Sequence, residues 1–161
     1  MLLLKTLLYT ILLPCTIVVW LPLYLLSSTG ELRRPTWDAL SILGLIPAAF
    51  AFAIFVWCTY DFMKHGRGTP NPLDPPKVVV ARGPYRRVRN PMYVSVMFII
   101  AFEALLFRSS TLLVYLVMVL VCFHLFVVLY EEPALVRSFG ASYENYRREV
   151  PRWLPRWRRK G

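Results

Sequence analysis

Four long apolar stretches constrain this chain more than any other feature. They cover residues 2–26, 39–60, 92–106 and 112–130, and polar segments separate them. About 20 apolar helical residues cross a bilayer, because a helix satisfies its own backbone polar groups where no water is present. A chain that is 57% hydrophobic is also too apolar for a typical soluble domain. The sequence therefore predicts an all-α integral membrane protein with about four transmembrane helices.

We expect one membrane domain over residues 1–161, in which the helices form two pairs. The first two transmembrane helices occupy residues 1–60, and the third and fourth occupy residues 92–130. A cytosolic loop, residues 61–91, joins the two pairs. Residues 131–161 follow the last span and are expected to form short cytosolic helices and a basic tail.

Local signals predict where the later helices begin and end. Asp38 is placed to cap the N-terminus of the second helix. The fourth helix is expected to end where Glu131, Glu132 and Pro133 follow its last apolar residues. Gly140 predicts a break between two short amphipathic helices, since apolar residues recur at helical spacing on both sides of it. The recurring residues are Leu135, Phe139, Tyr143, Tyr146 and Val150.

The positive charge is distributed unevenly along the chain. It carries 19 Lys and Arg residues against 9 Asp and Glu, for a formal net charge of +10. Sixteen of the 19 lie on the side that would hold the N-terminus, the loop and the C-terminal tail. By the positive-inside rule both termini and the loop face the cytoplasm. The arginine content favours a bacterial inner membrane, and the apolar stretches favour the lipid bilayer over nucleic acid as the partner of this charge.

The tail combines arginines with tryptophans, a composition found both at base-stacking surfaces and at membrane surfaces. Beside four spans, Trp153 and Trp157 are expected to lie at the level of the lipid headgroups.

Residues 70–93 form the one long polar insert between apolar stretches. Its six prolines exclude a continuous helix, because proline lacks an amide donor and biases the preceding residue toward extended conformations. A fixed polar loop against hydrophobic helices is where a membrane protein would bind a polar ligand. The chain contains neither of the glycine-rich motifs that bind phosphate groups, GxGxxG and GxxxxGK[ST].

Two ionisable residues, Glu103 and His124, lie inside apolar stretches. A charged group at the centre of a membrane helix costs about 2.5 to 3.5 kcal/mol, so both should face the protein interior. His124 precedes Glu131 by two turns on one helix face, and Glu103 continues the face that begins at Met92. Their side chains either form structural hydrogen bonds, with each other or with a serine, or act as a general base or substrate anchor.

The glutamate pair at the end of the fourth span has two interpretations. Glu131 and Glu132 either form ion pairs with Arg86 or Arg89, or hold the amine or ribose hydroxyls of a ligand. No metal site is expected, because the two histidines of the chain have no acidic cluster nearby.

Three sequence blocks follow one another in the second half of the chain. They are VVARGPYRRVRNPMY at residues 79–93, EEPALVRSFG at residues 131–140, and then Tyr143, Tyr146 and residues 150–151. In this order they resemble the isoprenylcysteine carboxyl methyltransferase family, which is related to the phospholipid methyltransferases. The likeness covers residues 70–155 and rests on the combined order, since no single block is specific.

The resemblance implies a membrane enzyme that binds S-adenosylmethionine at the cytosolic face and methylates lipophilic substrates arriving from the bilayer. Positions that match the family's motifs would contact the cofactor. They are Lys77, Val78, Val79, Val80, Tyr85, Arg89, Asn90, Pro91, Met92, Tyr93, Glu131 and Glu132. In this interpretation Glu131 would bind the methionyl ammonium or the ribose, and the arginines would bind the carboxylate.

Two positions depart from the family's pattern. Asn90 stands where members often have histidine, which keeps a hydrogen-bonding group but removes a titrating one. Val127 stands one turn before the glutamate pair, where members that methylate a prenylcysteine carboxylate have an arginine. We therefore expect an acceptor that must lose a proton, such as an amine, thiol or hydroxyl, with Glu103 or His124 as the base.

Two other classes of function remain open at this stage. A nicotinamide-dependent membrane reductase is one, because sterol reductases are similar around the same C-terminal blocks, although they have many more spans. A non-enzymatic lipid-binding membrane subunit is the other, and it explains the spans and the basic face but not the two buried ionisable residues. The sequence leaves open whether the protein pairs with a second copy in the membrane.

Overall fold

The computed structural model describes residues 12–65 and 81–155. Every regular element in these two ranges is helical. The main helices are α1 (Leu12–Ser28), α2 (Ala39–His65), α3 (Pro91–Leu106), α4 (Ser110–Phe126), α5 (Glu132–Phe139) and α6 (Ala141–Glu149). A π-helical turn, Val127–Glu131, connects α4 to α5, and a 3-10 turn, Gly83–Arg86, precedes α3. The all-helical class predicted from the sequence is confirmed for this described part of the chain.

Two helical stretches are long and apolar enough to cross a membrane. They are Ala39–Asp61, with 23 residues, and Ser110–Phe139, with 30 residues. The 16 residues of α3 measure only about 24 Å at 1.5 Å per residue, less than the roughly 30 Å of a bilayer's hydrocarbon core. Helix α1 is apolar as well and shorter than these two stretches over its described residues. Two crossings are thus supported by length and composition, and a total of four remains a prediction.

Helix α3 is in contact with α1, α2 and α4. Gly44 lets α2 approach it closely, since a Cβ there would lie 2.8 Å from Leu105 Cδ2 and 3.3 Å from Phe102 Cδ2. Ile100 and Ala104 of α3 are buried among side chains of α1 and α4. Many large apolar side chains of α2 and α4 are exposed. Such helices, apolar on all faces, suit a surrounding of lipid.

The helical stretch that begins with α4 does not end at the glutamate pair, so that sequence expectation is wrong. The chain stays helical throughout Ser110–Phe139. In the π-helical turn the amide of Glu132 donates to the carbonyl of Val127, five residues earlier. Pro133 follows directly, in the first turn of α5, where the hydrogen-bond register has just changed. The helix therefore accommodates a residue without an amide donor, and both glutamates lie inside it.

Two other local predictions are confirmed. The side chain of Asp38 caps α2, because its Oδ1 accepts from the amide of Ser41 at 2.9 Å. This hydrogen bond is the main reason why the pKa of Asp38 lies below its ordinary value, and an ion pair with Arg108 adds to the effect. Gly140, with φ of +52°, separates α5 from α6. A positive φ is readily adopted only by glycine, which explains the break at this residue.

Candidate functional site

A buried ion-pair cluster lies where α4 continues into α5. Glu132 is only 5% exposed. Arg89, in the segment before α3, places Nη1 2.7 Å from its Oε1. Arg152, after α6, donates from Nε to Oε1 at 2.8 Å and from Nη2 to Oε2 at 2.9 Å. The contact between Arg89 and Glu132 is one of the ion pairs that the sequence left open, and the bonds to Glu132 raise the pKa of Arg152.

Residues 150–154 fold back across this end of the helices, and we call them the C-terminal strap. The amide of Arg89 donates to the carbonyl of Pro151 at 2.9 Å. The side-chain Nδ2 of Asn90 donates to the carbonyl of Arg152 at 3.3 Å. Asn90 is buried, so its amide group holds the strap against the start of α3.

Glu131 has a different partner from its neighbour. The hydroxyl of Tyr93, in the first turn of α3, donates to Glu131 Oε2 at 2.9 Å. Consecutive helical residues point about 100° apart, because a turn contains 3.6 residues. Glu131 therefore faces α3 while Glu132 faces the strap.

Four rings form an aromatic cluster beside Glu131: Tyr93, Phe123, His124 and Trp153. The centroid of the Tyr93 ring lies 4.6 Å from that of Phe123 and 6.5 Å from that of Trp153. The indole Nε1 of Trp153 donates to His124 Nδ1 at 3.2 Å. The strap thus connects α3 and α4 through an aromatic contact on one side and a hydrogen bond on the other.

Tyr85 is buried in the 3-10 turn Gly83–Arg86. Its carbonyl accepts from the hydroxyl of Tyr146 at 2.7 Å, and its side chain is hydrogen-bonded to the thiol of Cys58 on α2. Burial raises the pKa of Tyr85 well above its ordinary value, and the nearby Cys58 and Glu131 raise it further. Tyr85 is therefore a neutral phenol that joins α2 and α6 to the site.

We expect Gly83→Ala to destabilise the protein more than Gly30→Ala. Both glycines have a positive φ, +50° and +70°, so each alanine strains the backbone by about 1 to 2 kcal/mol. A Cβ at Gly83 would also lie 2.6 Å from Asp61 Oδ2 and 3.1 Å from Trp57 Nε1, whereas a Cβ at Gly30 would meet nothing within 4 Å. Thermal unfolding in detergent measures the difference. Equal losses for the two variants would contradict close packing of the 3-10 turn on α2.

Most sequence-predicted cofactor residues that the structure describes lie together at this end of the helices. Asn90 and Pro91 are buried, and Met92 is half-buried at the start of α3. The positions Lys77, Val78, Val79 and Val80 lie outside the described residues.

The two predicted catalytic residues lie in different places. His124 contacts the strap and belongs to the aromatic cluster. It is exposed, so the expectation that it faces the protein interior is wrong: it lies at the end of the bundle, where the strap covers only part of it. Glu103 is ten residues beyond Tyr93 on α3, about 15 Å away at 1.5 Å per residue. Its Oε2 is buried and has no hydrogen-bond partner among the residues that the structure describes. Among those residues, the mutual hydrogen bond between Glu103 and His124 that the sequence allowed is not formed.

Three residues of the site were not sequence candidates: Tyr146, Arg152 and Trp153. Arg152 had been interpreted only as a cation that sets topology, and Trp153 as an interfacial residue. The structure shows that Trp153 also contacts α4 and is half-buried, and its position at the headgroup level stays a prediction. The pair Pro151 and Pro155 could have predicted this segment from the sequence, because two prolines this close indicate a short, fixed, non-helical segment.

Together, these features define a helical membrane protein with a buried ion-pair cluster and a neighbouring aromatic cluster at one end of its helices. Residues 40–142 match the family model of the phospholipid methyltransferases. The match covers more than half of the chain, and the chain therefore belongs to the phospholipid methyltransferase family. The likeness of the sequence blocks to isoprenylcysteine carboxyl methyltransferase-like proteins is confirmed at the level of this family. No curated protein and no solved structure matches the chain.

Membership of this family implies methyltransferase activity on a lipid-like substrate. It favours the methyltransferase interpretation over the reductase and over the non-enzymatic subunit.

Proposed function

We propose that this protein transfers a methyl group from S-adenosylmethionine to a lipophilic acceptor that reaches the site from the bilayer. The observation that carries the proposal is the position of Glu131 in a chain of this family. It accepts a hydrogen bond from Tyr93 of the aromatic cluster, and the next residue, Glu132, pairs with two arginines. On the charge distribution, we assign the site to the cytosolic face of a bacterial inner membrane.

The residues present suit the cofactor chemically. Glu131 accepts from Tyr93 through Oε2, and in this proposal its carboxylate also accepts from the ammonium group or from the ribose hydroxyls of the cofactor. The two positive charges of Arg89 and Arg152 exceed the single negative charge of Glu132 by one. This excess favours binding of the cofactor's carboxylate nearby. The ring faces of the aromatic cluster attract cations, and a sulfonium is one. A zwitterionic cofactor with a sulfonium would therefore meet complementary groups.

Bound S-adenosylmethionine would supply an electrophilic methyl group, to which the acceptor's lone pair bonds while the electrons of the carbon–sulfur bond stay on sulfur. The chain's own residues would bind and orient the reactants and exclude water, which alone lowers a barrier by several kcal/mol. His124 supplies the imidazole of the aromatic cluster, and we propose that it takes the proton that the acceptor loses. Glu103 is a second candidate for this role, deeper in the membrane.

We further propose that the acceptor is an amine, thiol or hydroxyl. Val127 is fully buried at the start of the π-helical turn, where the resemblance would place an arginine for a carboxylate acceptor. An apolar side chain there offers nothing to pair with a carboxylate. Methyl transfer that survives Glu103→Gln combined with His124→Ala would exclude both residues as the base.

Equilibrium binding of S-adenosylmethionine to the purified protein in detergent tests the proposed cofactor. We expect a dissociation constant in the micromolar range, measured by isothermal titration calorimetry. A folded protein that binds no S-adenosylmethionine would overturn the proposal, and binding of a nicotinamide cofactor or of lipid alone would then identify which remaining class applies. If binding is found, candidate lipophilic amines, thiols and alcohols can be screened for methylation.

A further inference from the structure

The hydrogen bond between Trp153 and His124 has a defined direction. An indole N–H donates and cannot accept. The Nδ1 atom of His124, 3.2 Å from Trp153 Nε1, must therefore provide a lone pair. A neutral imidazole with its lone pair on Nδ1 carries its proton on Nε2, so the contact selects one tautomer of His124.

A proton and the indole compete for the same atom. When His124 takes up a proton, Nδ1 becomes a donor, and two donors then face each other across the contact. The hydrogen bond exists only while the imidazole is neutral. The contact between the strap and α4 thus depends on the protonation state of a single side chain.

We propose that Trp153 is a positioning residue for His124, and that protonation of His124 at Nδ1 releases the indole of Trp153 from α4. The release follows from the hydrogen bond alone. Its part in turnover rests on the proposed function, in which the acceptor's proton passes to His124. Because Nε2 already carries a proton, the acceptor's proton would have to reach Nδ1, and the indole of Trp153 would leave His124 as that proton arrives.

The charged and titratable side chains around the contact between Trp153 and His124 are hydrogen-bonded to other residues. From α3, the hydroxyl of Tyr93 donates to Glu131, and Glu131 is the next carboxylate along the helix that carries His124. From the strap, Arg152 is held by both oxygens of Glu132. Release therefore concerns the indole of Trp153, because the backbone of the strap stays anchored through Arg152 and Pro151.

The indole N–H signals of the 15N-labelled protein in detergent micelles report this contact directly. The chain has five tryptophans, and Trp153→Phe identifies the signal of Trp153 by its loss. We expect this proton signal to move upfield when the pH is lowered, because the indole N–H loses its acceptor once His124 is protonated. Unchanged indole signals of the other tryptophans would show that the fold is retained at the lower pH.

Two variants of His124 separate titration from packing. His124→Asn keeps an acceptor near the position of Nδ1 but does not titrate, so the Trp153 signal should stay at its high-pH position throughout. His124→Phe removes the acceptor, so the signal should stay at its low-pH position. His124→Gln offers a second non-titrating acceptor if the asparagine variant does not fold.

Either of two results would overturn the proposal. One is a wild-type Trp153 signal that does not change with pH, and the other is the same pH response in His124→Asn as in the wild type. The experiment uses no cofactor or acceptor, so its outcome is independent of S-adenosylmethionine binding. The Trp153 signal tests the contact with His124, and S-adenosylmethionine binding tests the methyltransferase assignment, so failure of one can be distinguished from failure of the other.

Discussion

Glu132→Gln is expected to lower the free energy of unfolding by about 3 to 5 kcal/mol, because removing one partner of a buried ion pair leaves uncompensated charge in the interior. The side chains of Arg89 and Glu132 are only 9% and 7% exposed, so little water can replace the lost carboxylate. The side chain of Arg152 is 28% exposed and can turn outward, which favours the lower end of this range.

Unfolding in detergent, followed by circular dichroism, measures this loss. Asp38→Asn is the matched control, since it also neutralises a carboxylate paired with an arginine, but at an exposed site where side chains of Asp38 and Arg108 are 49% and 43% exposed. Exposed pairs contribute little, so this variant should remain close to the wild type. Adding Arg152→Gln to Glu132→Gln should restore part of the stability. A Glu132→Gln protein as stable as the wild type would show that the cluster does not hold the strap.

Glu131→Gln is expected to weaken S-adenosylmethionine binding by at least about thirtyfold. Truncating one partner of a buried, hydrogen-bonded charge pair costs roughly 2 to 5 kcal/mol, and each 1.4 kcal/mol is a factor of about ten in affinity. Tyr93→Phe removes only the hydroxyl that donates to Glu131, so it should weaken binding by about two- to tenfold, as expected for one net hydrogen bond.

Isothermal titration calorimetry of the variants provides the test. Glu149→Gln serves as the control, because it removes the same charge from an exposed position on α6 and should leave binding unchanged. If the wild type binds the cofactor and Glu131→Gln binds it equally well, Glu131 does not contact it. The two neighbouring glutamates are thus expected to differ, with Glu132 affecting mainly stability and Glu131 mainly binding.

His124 is connected to the rest of the site in a way that Glu103 is not. His124 contacts the strap, which in turn packs against Tyr93 and pairs with Glu132. Glu103 lies near the other end of α3, among the interior of the apolar helices. Separate variants of the two residues should therefore have separate effects, and only changes at His124 should alter the Trp153 signal.

The sequence by itself determined the features that depend on neighbouring residues. Apolar stretches specified helices suited to lipid, Asp38 specified the start of α2, and Gly140 specified the break between α5 and α6. These are local effects, because capping, glycine geometry and the length of an apolar stretch act within a few residues. The order of the sequence blocks also pointed to the family, which the match over residues 40–142 confirmed.

The tertiary structure alone decided which residues meet. Glu132 pairs with Arg89 and Arg152, far from it in the chain, and Trp153 reaches back to His124. The sequence also did not predict the π-helical turn, which lets the helix continue past Pro133. Helical periodicity gives the face on which a side chain lies but not the element packed against that face. Contacts between distant segments depend on how the helices pack, and a single sequence does not encode that in any local pattern.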